Sequence, residues 1–310
     1  AYAVIELERD HSAPQVGLVS PPDGALVMDC EEVTLRAAVQ DDIGAVRVWF
    51  YVNDVLLDAG GSIPGAAGVT RTYGPEFDLR GRHVLDLGTG FGGKLVYYQQ
   101  QGPASITTVD IRPDFSAAAR AFAVRRGADA GLRFVVADAA RLPFDDDAFE
   151  VVISNETFEH IQRPLPALRE VARVTRPGGR VFISFPPYFA PWGAHLNNWI
   201  ALPWAQVIFA EPTLINAAVT WEQRYHVNRQ LMPEARLDLR GRQTLPHINK
   251  MTLRRFEAML AAAPLRLERK AYHGPGWRRR PAYHGLVQAL TRLPGLREMF
   301  TSHAVYVLRK

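Results

Sequence analysis

Two spacings of apolar residues divide the chain. Between residues 16 and 58 apolar and polar positions alternate. Val33, Leu35, Ala37 and Val39 interleave with Thr34, Arg36 and Ala38, and Val46, Val48, Phe50 and Val52 with Arg47, Trp49 and Tyr51. Period-two alternation predicts half-buried strands. Asn53-Asp54 suits a hairpin turn before Val55-Leu56-Leu57, and Ser20-Pro21-Pro22-Asp23-Gly24 and Asp41-Asp42-Ile43-Gly44 read as turns. From residue 76 onward strand and helix patterns alternate, which predicts a mainly parallel sheet with helices on both faces. Strands are expected at 83–88, 105–110, 132–138, 149–155 and 180–185, with closing strands at 265–272 and 304–308. Helices are expected near 92–101 and over 113–126, where Pro113 suits the first turn and Gly127 the C-cap. A third helix carries Leu165, Leu168, Val171 and Ala172 on one face and is expected to stop at Pro177-Gly178-Gly179. A fourth is N-capped by Thr252. The small residues from Ala59 to Gly68 mark a connector, so the division is a β module at 1–58, a linker at 59–75 and an α/β domain at 76–310.

Composition narrows the function classes. At 310 residues, 47% hydrophobic and 22% charged, the chain reads as a soluble globular protein with room for a large core. A net charge of +4 is mild, and no long Lys/Arg run or aromatic RNA-binding motif is present, so no nucleic-acid partner is expected. Arg278-Arg279-Arg280 after Trp277 reads as a solvated loop. The single cysteine, Cys30, rules out an intrachain disulfide and supplies no zinc-ligand cluster, so no metal site is expected. No apolar stretch approaches the roughly 20 residues of a membrane helix. The first residues lack the layout of a signal peptide, and a cytoplasmic location is expected.

The chemistry is concentrated in Val84-Leu85-Asp86-Leu87-Gly88-Thr89-Gly90-Phe91-Gly92-Gly93. A buried strand runs into a glycine turn and then into the helical run Leu95-Val96-Tyr97-Tyr98, a nucleotide-binding crossover. Gly88, Gly90 and Gly93 satisfy G-x-G-x-x-G, a weak signal alone. Asp86 is the deciding residue. A dinucleotide pyrophosphate would meet an unwanted negative charge there. S-adenosylmethionine (SAM) has no phosphate and carries an ammonium and a sulfonium, so an acid at that strand end suits it. On these residues the chain resembles the class I SAM-dependent methyltransferases, small-molecule type 11-like. That resemblance implies a Rossmann-like seven-stranded sheet over roughly residues 75–310, with the last strand inserted antiparallel beside the sixth.

The resemblance assigns further residues. Gly88, Thr89, Gly90 and Phe91 would line the cofactor. Asp110 and Ile111, at the end of the second strand, would hold the ribose. Asp138 would accept from the adenine amine, with Ala139 offering its N–H. An ordinary Asx-turn is the bland reading of Asp138, and a helix N-cap that of Asp110. Leu142-Pro143-Phe144 resembles the family's "LPF" loop, and Ser154-Asn155-Glu156-Thr157-Phe158-Glu159-His160 its "S…EH" ending, where the methyl group meets the acceptor. Ser154 is read as cofactor-binding, Asn155 and Glu156 as substrate-binding. Pro186-Pro187-Tyr188 follows the fifth strand and Phe185, so it reads as a turn and not as the motif of base-methylating enzymes.

Residues 186–249 form a long insertion holding Trp192, Trp199, Trp204 and Trp221, with His195 and His226. Insertions of this length commonly act as lids or binding loops, and an aromatic-rich one suits an apolar acceptor. Trp192 and Trp199 are read as substrate-binding, and His160 and His195 as the groups that would take the acceptor's proton. The expected function is therefore methyl transfer from SAM to a small, partly apolar metabolite. An NAD(P)-dependent oxidoreductase would leave Asp86 and Asp138 without a role, and a non-catalytic binding protein would not need them intact. The segment "SPPDGA…EVTLRAAVQDDIGAVRVWFYVNDVLL" resembles the front half of a bacterial immunoglobulin-like repeat, too short to close a sandwich alone. It is expected either to dock on the catalytic domain or to pair with a second copy as a homodimer.

Overall fold

The computed structural model describes residues 73–310 apart from 75, 197–199, 201, 226–235, 238–242, 246–247, 275–288 and 294, together with the backbone of 15–20, 36–40, 48–52 and 55–60. Trp199, His226, Cys30, the Trp277–Arg280 run and most of the expected linker lie outside the described residues. The chain divides into two compact units, 1–66 and 67–310. In the first, β1 (Gln15–Ser20) pairs antiparallel with β2 (Arg36–Gln40), and β3 (Val48–Val52) with β4 (Val55–Gly60).

The second unit runs β5 (His83–Leu87), α1 (Leu95–Gln100), β6 (Ser105–Asp110), α2 (Pro113–Arg125), β7 (Leu132–Val136), β8 (Phe149–Asn155), α3 (Pro164–Val174) and β9 (Thr175–Phe185). There follow α4 (Ala205–Ile208), α5 (Glu211–Tyr225), β10 (Arg236–Leu237), β11 (Gln243–Thr244), α6 (Leu253–Leu260), β12 (Arg266–His273) and β13 (His303–Arg309). Seven strands form one sheet in the order β12-β13-β9-β8-β5-β6-β7, with β13 antiparallel to both neighbours. Pairs β6–β7, β5–β6, β5–β8 and β8–β9 are parallel. The expected sheet is the one observed, the antiparallel insertion included.

The central strands read as near-continuous apolar runs because both of their faces are covered. Neighbouring residues feed opposite cores, as the strand period requires. Leu85, Leu87 and Val152 pack with Leu168 and Val171 of α3 and Phe256 of α6. Val84, Val151 and Ile153 pack on the other face with Tyr97 and Tyr98 of α1, and with Tyr73 and Phe77 ahead of β5. Thr252 caps α6 as expected, accepting from the Arg255 N–H at 3.1 Å.

Three boundaries differ from expectation. The first helix begins at Leu95, not 92, because the glycine turn extends further: Gly92 has φ +80°, and a Cβ there would lie 2.9 Å from the Ala119 Cβ of α2. The third strand ends at Val136, not 138, since the Asp138 carboxylate accepts the Ala140 N–H at 2.8 Å and turns the chain away. The helix ending at Val174 stops before Pro177-Gly178-Gly179. The buried Thr175 hydroxyl donates to the Val171 carbonyl at 2.6 Å, and β9 absorbs the three residues as a bulge between Phe149↔Thr175 and Val151↔Arg180.

The insertion has a core of its own, in which Tyr188, Leu196, Leu214, Ile215, Leu245 and Ile248 pack together with Trp221 at their edge. Trp204 ties it to the C-terminal region, its indole N–H donating to the Met299 carbonyl at 2.9 Å and its ring meeting Phe300. Pro186-Pro187-Tyr188 is a turn, with Tyr188 buried and its N–H donating to the Met251 carbonyl. Among the described residues no helix is long and apolar enough to cross a membrane.

Candidate functional site

The carboxyl ends of β8, β5, β6 and β7 lie side by side, and the strand order reverses between β5 and β8. That is where an open α/β sheet leaves a crevice. Asp86 lies near the end of β5, Asp110 ends β6, Asp138 follows β7, and Ser154 and Asn155 end β8.

The glycine turn is fixed by its neighbours. Gly88 and Thr89 donate their N–H groups to the Val109 carbonyl of β6, and Gly90 donates its N–H to Asp110 Oδ2 at 2.9 Å. Gly88 has φ +80°, and a Cβ there would sit 2.2 Å from the Thr157 methyl. Only glycine can hold β5 this close to the segment after β8. The other oxygen of Asp110 accepts the Arg112 N–H at 3.0 Å, while the N-cap of α2 is Arg112 itself. Asp110 thus braces the turn and does not cap α2. Beside it Ile111 is 66% exposed, and Phe91 is exposed with its ring 4.5 Å from Phe115. These apolar groups border the expected ribose and adenine positions.

Asp86 is 6% exposed. Thr89 Oγ1 donates to its Oδ2 at 3.0 Å. Burial pushes its carboxyl up to about 6, against the opposing effects of the Thr89 hydroxyl and Lys94. Asp138 behaves in the opposite way: the Ala140 N–H and the Arg163 guanidinium, 2.7 Å away, hold it below the usual carboxylate range. Asp138 makes an Asx-turn through one oxygen, and its other oxygen accepts from Arg163.

The β8 end is more crowded. Ser154 is fully buried, and its hydroxyl has no hydrogen-bond partner among the described residues. Asn155 Oδ1 accepts from Tyr73 at 3.1 Å and from Ser184 at 2.6 Å. Its carbonyl is thus committed to the core. Glu156 has φ +56°, costly for a non-glycine residue, and its side chain keeps 44% of its exposure although protein surrounds it. It lines a recess. Burial pulls its carboxyl up, but the His303 imidazole at 2.5 Å and Lys94 at 3.8 Å outweigh that and hold it well below the usual range.

The next turn carries Glu159 and His160. Phe158 anchors it in the core against Phe256. Asn249, at the end of the insertion, clamps it with three bonds: its side chain donates to the carbonyls of Phe158 and Ile161, each at 2.6 Å, and its N–H to that of Glu159 at 2.7 Å. Glu159 is 2% exposed, and among the described residues neither of its oxygens has a hydrogen-bond partner. Burial drives its carboxyl well above the usual range. Its Oε1 lies 3.9 Å from His160 Nε2 and 3.7 Å from His195 Nε2. The two imidazoles meet edge to face at 4.9 Å. His195 also takes a positive φ, +54°, in the loop that holds the exposed Trp192.

The structure therefore brings His160 and His195 together, 35 positions apart in sequence. Sequence reasoning missed Lys94, Tyr73, Glu159, Asn249 and His303. Glu159 stood inside the quoted "S…EH" segment and gave a signal, whereas the others reach the site through tertiary contacts.

Residues 85–183 match the family profile described as methyltransferase domain, and residues 14–76 that described as bacterial Ig domain. Mycobacterial proteins are among the chain's relatives. A "Probable phthiotriol/phenolphthiotriol dimycocerosates methyltransferase 2" of Mycobacterium ulcerans is 42% identical over 105 residues, which cover 34% of this chain and 39% of that protein. An uncharacterized methyltransferase of Mycobacterium tuberculosis is 35% identical over 115 residues, covering 37% of this chain and 43% of its own. The chain thus spans about two fifths of the length of the curated relatives it matches. Among solved structures, a SAM-dependent methyltransferase from Mesorhizobium loti is 18% identical with a TM-score of 0.48, covering 80% of this chain and 100% of its own, a likeness too slight to bear on function. Within the matched residues 85–183 lie Asp86, the glycine turn, Asp110, Asp138 and the Ser154–His160 segment. His195 and the rest of the insertion come after them.

Proposed function

We propose that the chain is a SAM-dependent methyltransferase acting on a small, partly apolar metabolite. The observation that carries this reading is Asp86: a buried acid, braced by a single hydroxyl, at the end of β5 beside a glycine turn. A carboxylate so placed calls for a cation, and the SAM ammonium supplies one where a pyrophosphate would be repelled. Asp110 then accepts the ribose hydroxyls with the lone pairs its two N–H bonds leave over. Asp138 and the Ala139 N–H meet the adenine edge, with the exposed Arg163 swinging aside.

The transferred methyl is already activated on sulfur. The protein's share is to hold the acceptor in line and exclude water, from which much of the acceleration comes. The methyl would lie by the β8 end, near Ser154, Asn155 and Glu156. His160 and His195 are the imidazoles beside it that could take an acceptor proton. Trp192 would border the site, and an apolar group there supports an apolar acceptor. The name of the Mycobacterium ulcerans relative, a probable phthiotriol/phenolphthiotriol dimycocerosates methyltransferase, supports a small-molecule acceptor. No chemical step falls to the N-terminal unit, whose strand edges suit pairing with a second copy.

Calorimetry with SAM, S-adenosylhomocysteine and NAD tests the reading. Both sulfur compounds should bind and NAD should not. Asp110→Ala should weaken SAM about tenfold or more, because each charge-assisted bond lost is worth ~1.5–3 kcal/mol. Tight NAD binding with SAM silent overturns the reading.

A further inference from the structure

Glu159 is the residue that methyl transfer leaves unexplained. It is 2% exposed, and among the described residues neither oxygen has a hydrogen-bond partner. A buried carboxylate in that state is costly, and a protein relieves it with a proton or a cation. A proton alone would not require two imidazoles beside it. Yet His160 Nε2 and His195 Nε2 lie 3.9 and 3.7 Å from Glu159 Oε1, and the three donor atoms fall within 4.8 Å of one another. Two more features hold them there. Asn249 pins the backbone of the Glu159 turn, and His195 is kept at φ +54°.

The donor set selects the ion. One carboxylate and two imidazoles suit zinc and its transition-metal neighbours better than magnesium or calcium, which prefer all-oxygen sites. Zinc bonds of about 2.1 Å place tetrahedral donors about 3.4 Å apart, so shifts of roughly an ångström or less complete the set. His160 lies toward solvent and can make such a shift.

We propose that Glu159, His160 and His195 bind one divalent transition-metal ion, zinc in the first instance, leaving a fourth coordination position open. The site stands on its own residues and does not need the methyl-transfer reading. Where that reading holds, the ion lies at the acceptor end of the cleft and favours an acceptor with a hydroxyl. Coordinated there, the hydroxyl loses its proton to water more readily. Its oxygen lone pair forms the new O–CH3 bond as the sulfonium C–S bond breaks and the electron pair stays on sulfur. His160 and His195 are then ligands in place of bases.

The test uses the full chain, stripped with a chelator and titrated with Zn2+ alone by calorimetry, with Co2+ absorption as an independent readout of the ligand set. One ion per chain is expected. Glu159→Gln and His195→Ala should each weaken it about tenfold or more and alter the Co2+ spectrum. If Glu159→Gln does not fold by circular dichroism, His160→Ala, at the exposed position, carries the test with the same expectation. No bound ion, or uptake by these variants equal to that of the unaltered chain, overturns the site. SAM titration of the same samples separates the two proposals: zinc without SAM binding sinks methyl transfer and keeps the site, and SAM without zinc does the reverse.

Discussion

Asp86 and Glu159 are both acids driven upward by burial, and at the residue scale that makes the site a matter of unmet charge. For Asp86 the consequence for stability has a definite sign. Its folded-state carboxyl sits at about 6, above the ordinary value of 3.8, so the folded chain holds the proton more tightly than the unfolded one. Stability therefore falls as pH rises from about 4 to about 6, by ~3 kcal/mol at most. Asp86→Asn should stabilise the chain at pH 8, and the gain should shrink steadily toward pH 4. Urea unfolding across that range checks it; a gain independent of pH would show that Asp86 is not strained. SAM affinity should rise with pH through about 6, since the ammonium needs the ionised acid, and this dependence should vanish in Asp86→Asn. Much of this was legible in the sequence, because Asp86, Gly88 and Gly90 are neighbours along the chain. The His303–Glu156 pair and the Tyr73–Asn155–Ser184 bonds were not, since each joins distant segments.

Elements were legible where pattern and capping agreed, as for β6, β8 and the Thr252-capped α6. They were misjudged where a side chain broke the local rule. Thr175 ends α3 ahead of the prolines and glycines that signal a stop, and Asp138 ends β7 early. The insertion shows the same limit at larger range: its aromatic content suggested a lid, yet Asn249 is the residue that fastens it to the Glu159 turn. Asn249→Ala removes two side-chain bonds, to the Phe158 and Ile161 carbonyls, and should cost about 1–3 kcal/mol in urea unfolding. It should also raise hydrogen exchange in residues 158–161 while leaving β5 protected. Unchanged exchange there would mean that Phe158 alone holds the turn.

At the scale of the whole molecule, the cofactor residues all fall in the second unit, but so do Tyr73 and Phe77. Tyr73 packs 5.4 Å from Phe77 and 5.4 Å from Phe182, in the core beneath the sheet. A chain beginning at residue 67 should fold and bind SAM like the full chain. One beginning at residue 79 loses both aromatics and should be less stable by several kcal/mol, since removing one buried Phe costs ~3–5 kcal/mol. Thermal unfolding and SAM calorimetry of the two chains check this. Loss of SAM binding in a folded chain starting at 67 would show that the N-terminal unit contributes to the site.

The position of β13 has a consequence for biosynthesis. It lies between β9 and β12, antiparallel to both, and pairs with β9 along Ala304↔Phe185 to Arg309↔Arg180. Until residues 303–309 leave the ribosome, β9 has an open apolar edge and β12 has no neighbour in the sheet. The five parallel strands, finished at Phe185, are thus synthesised long before the sheet can be sealed. During that interval the nascent chain presents a bare strand to whatever is nearby, and holdase chaperones are the natural occupants of such an edge.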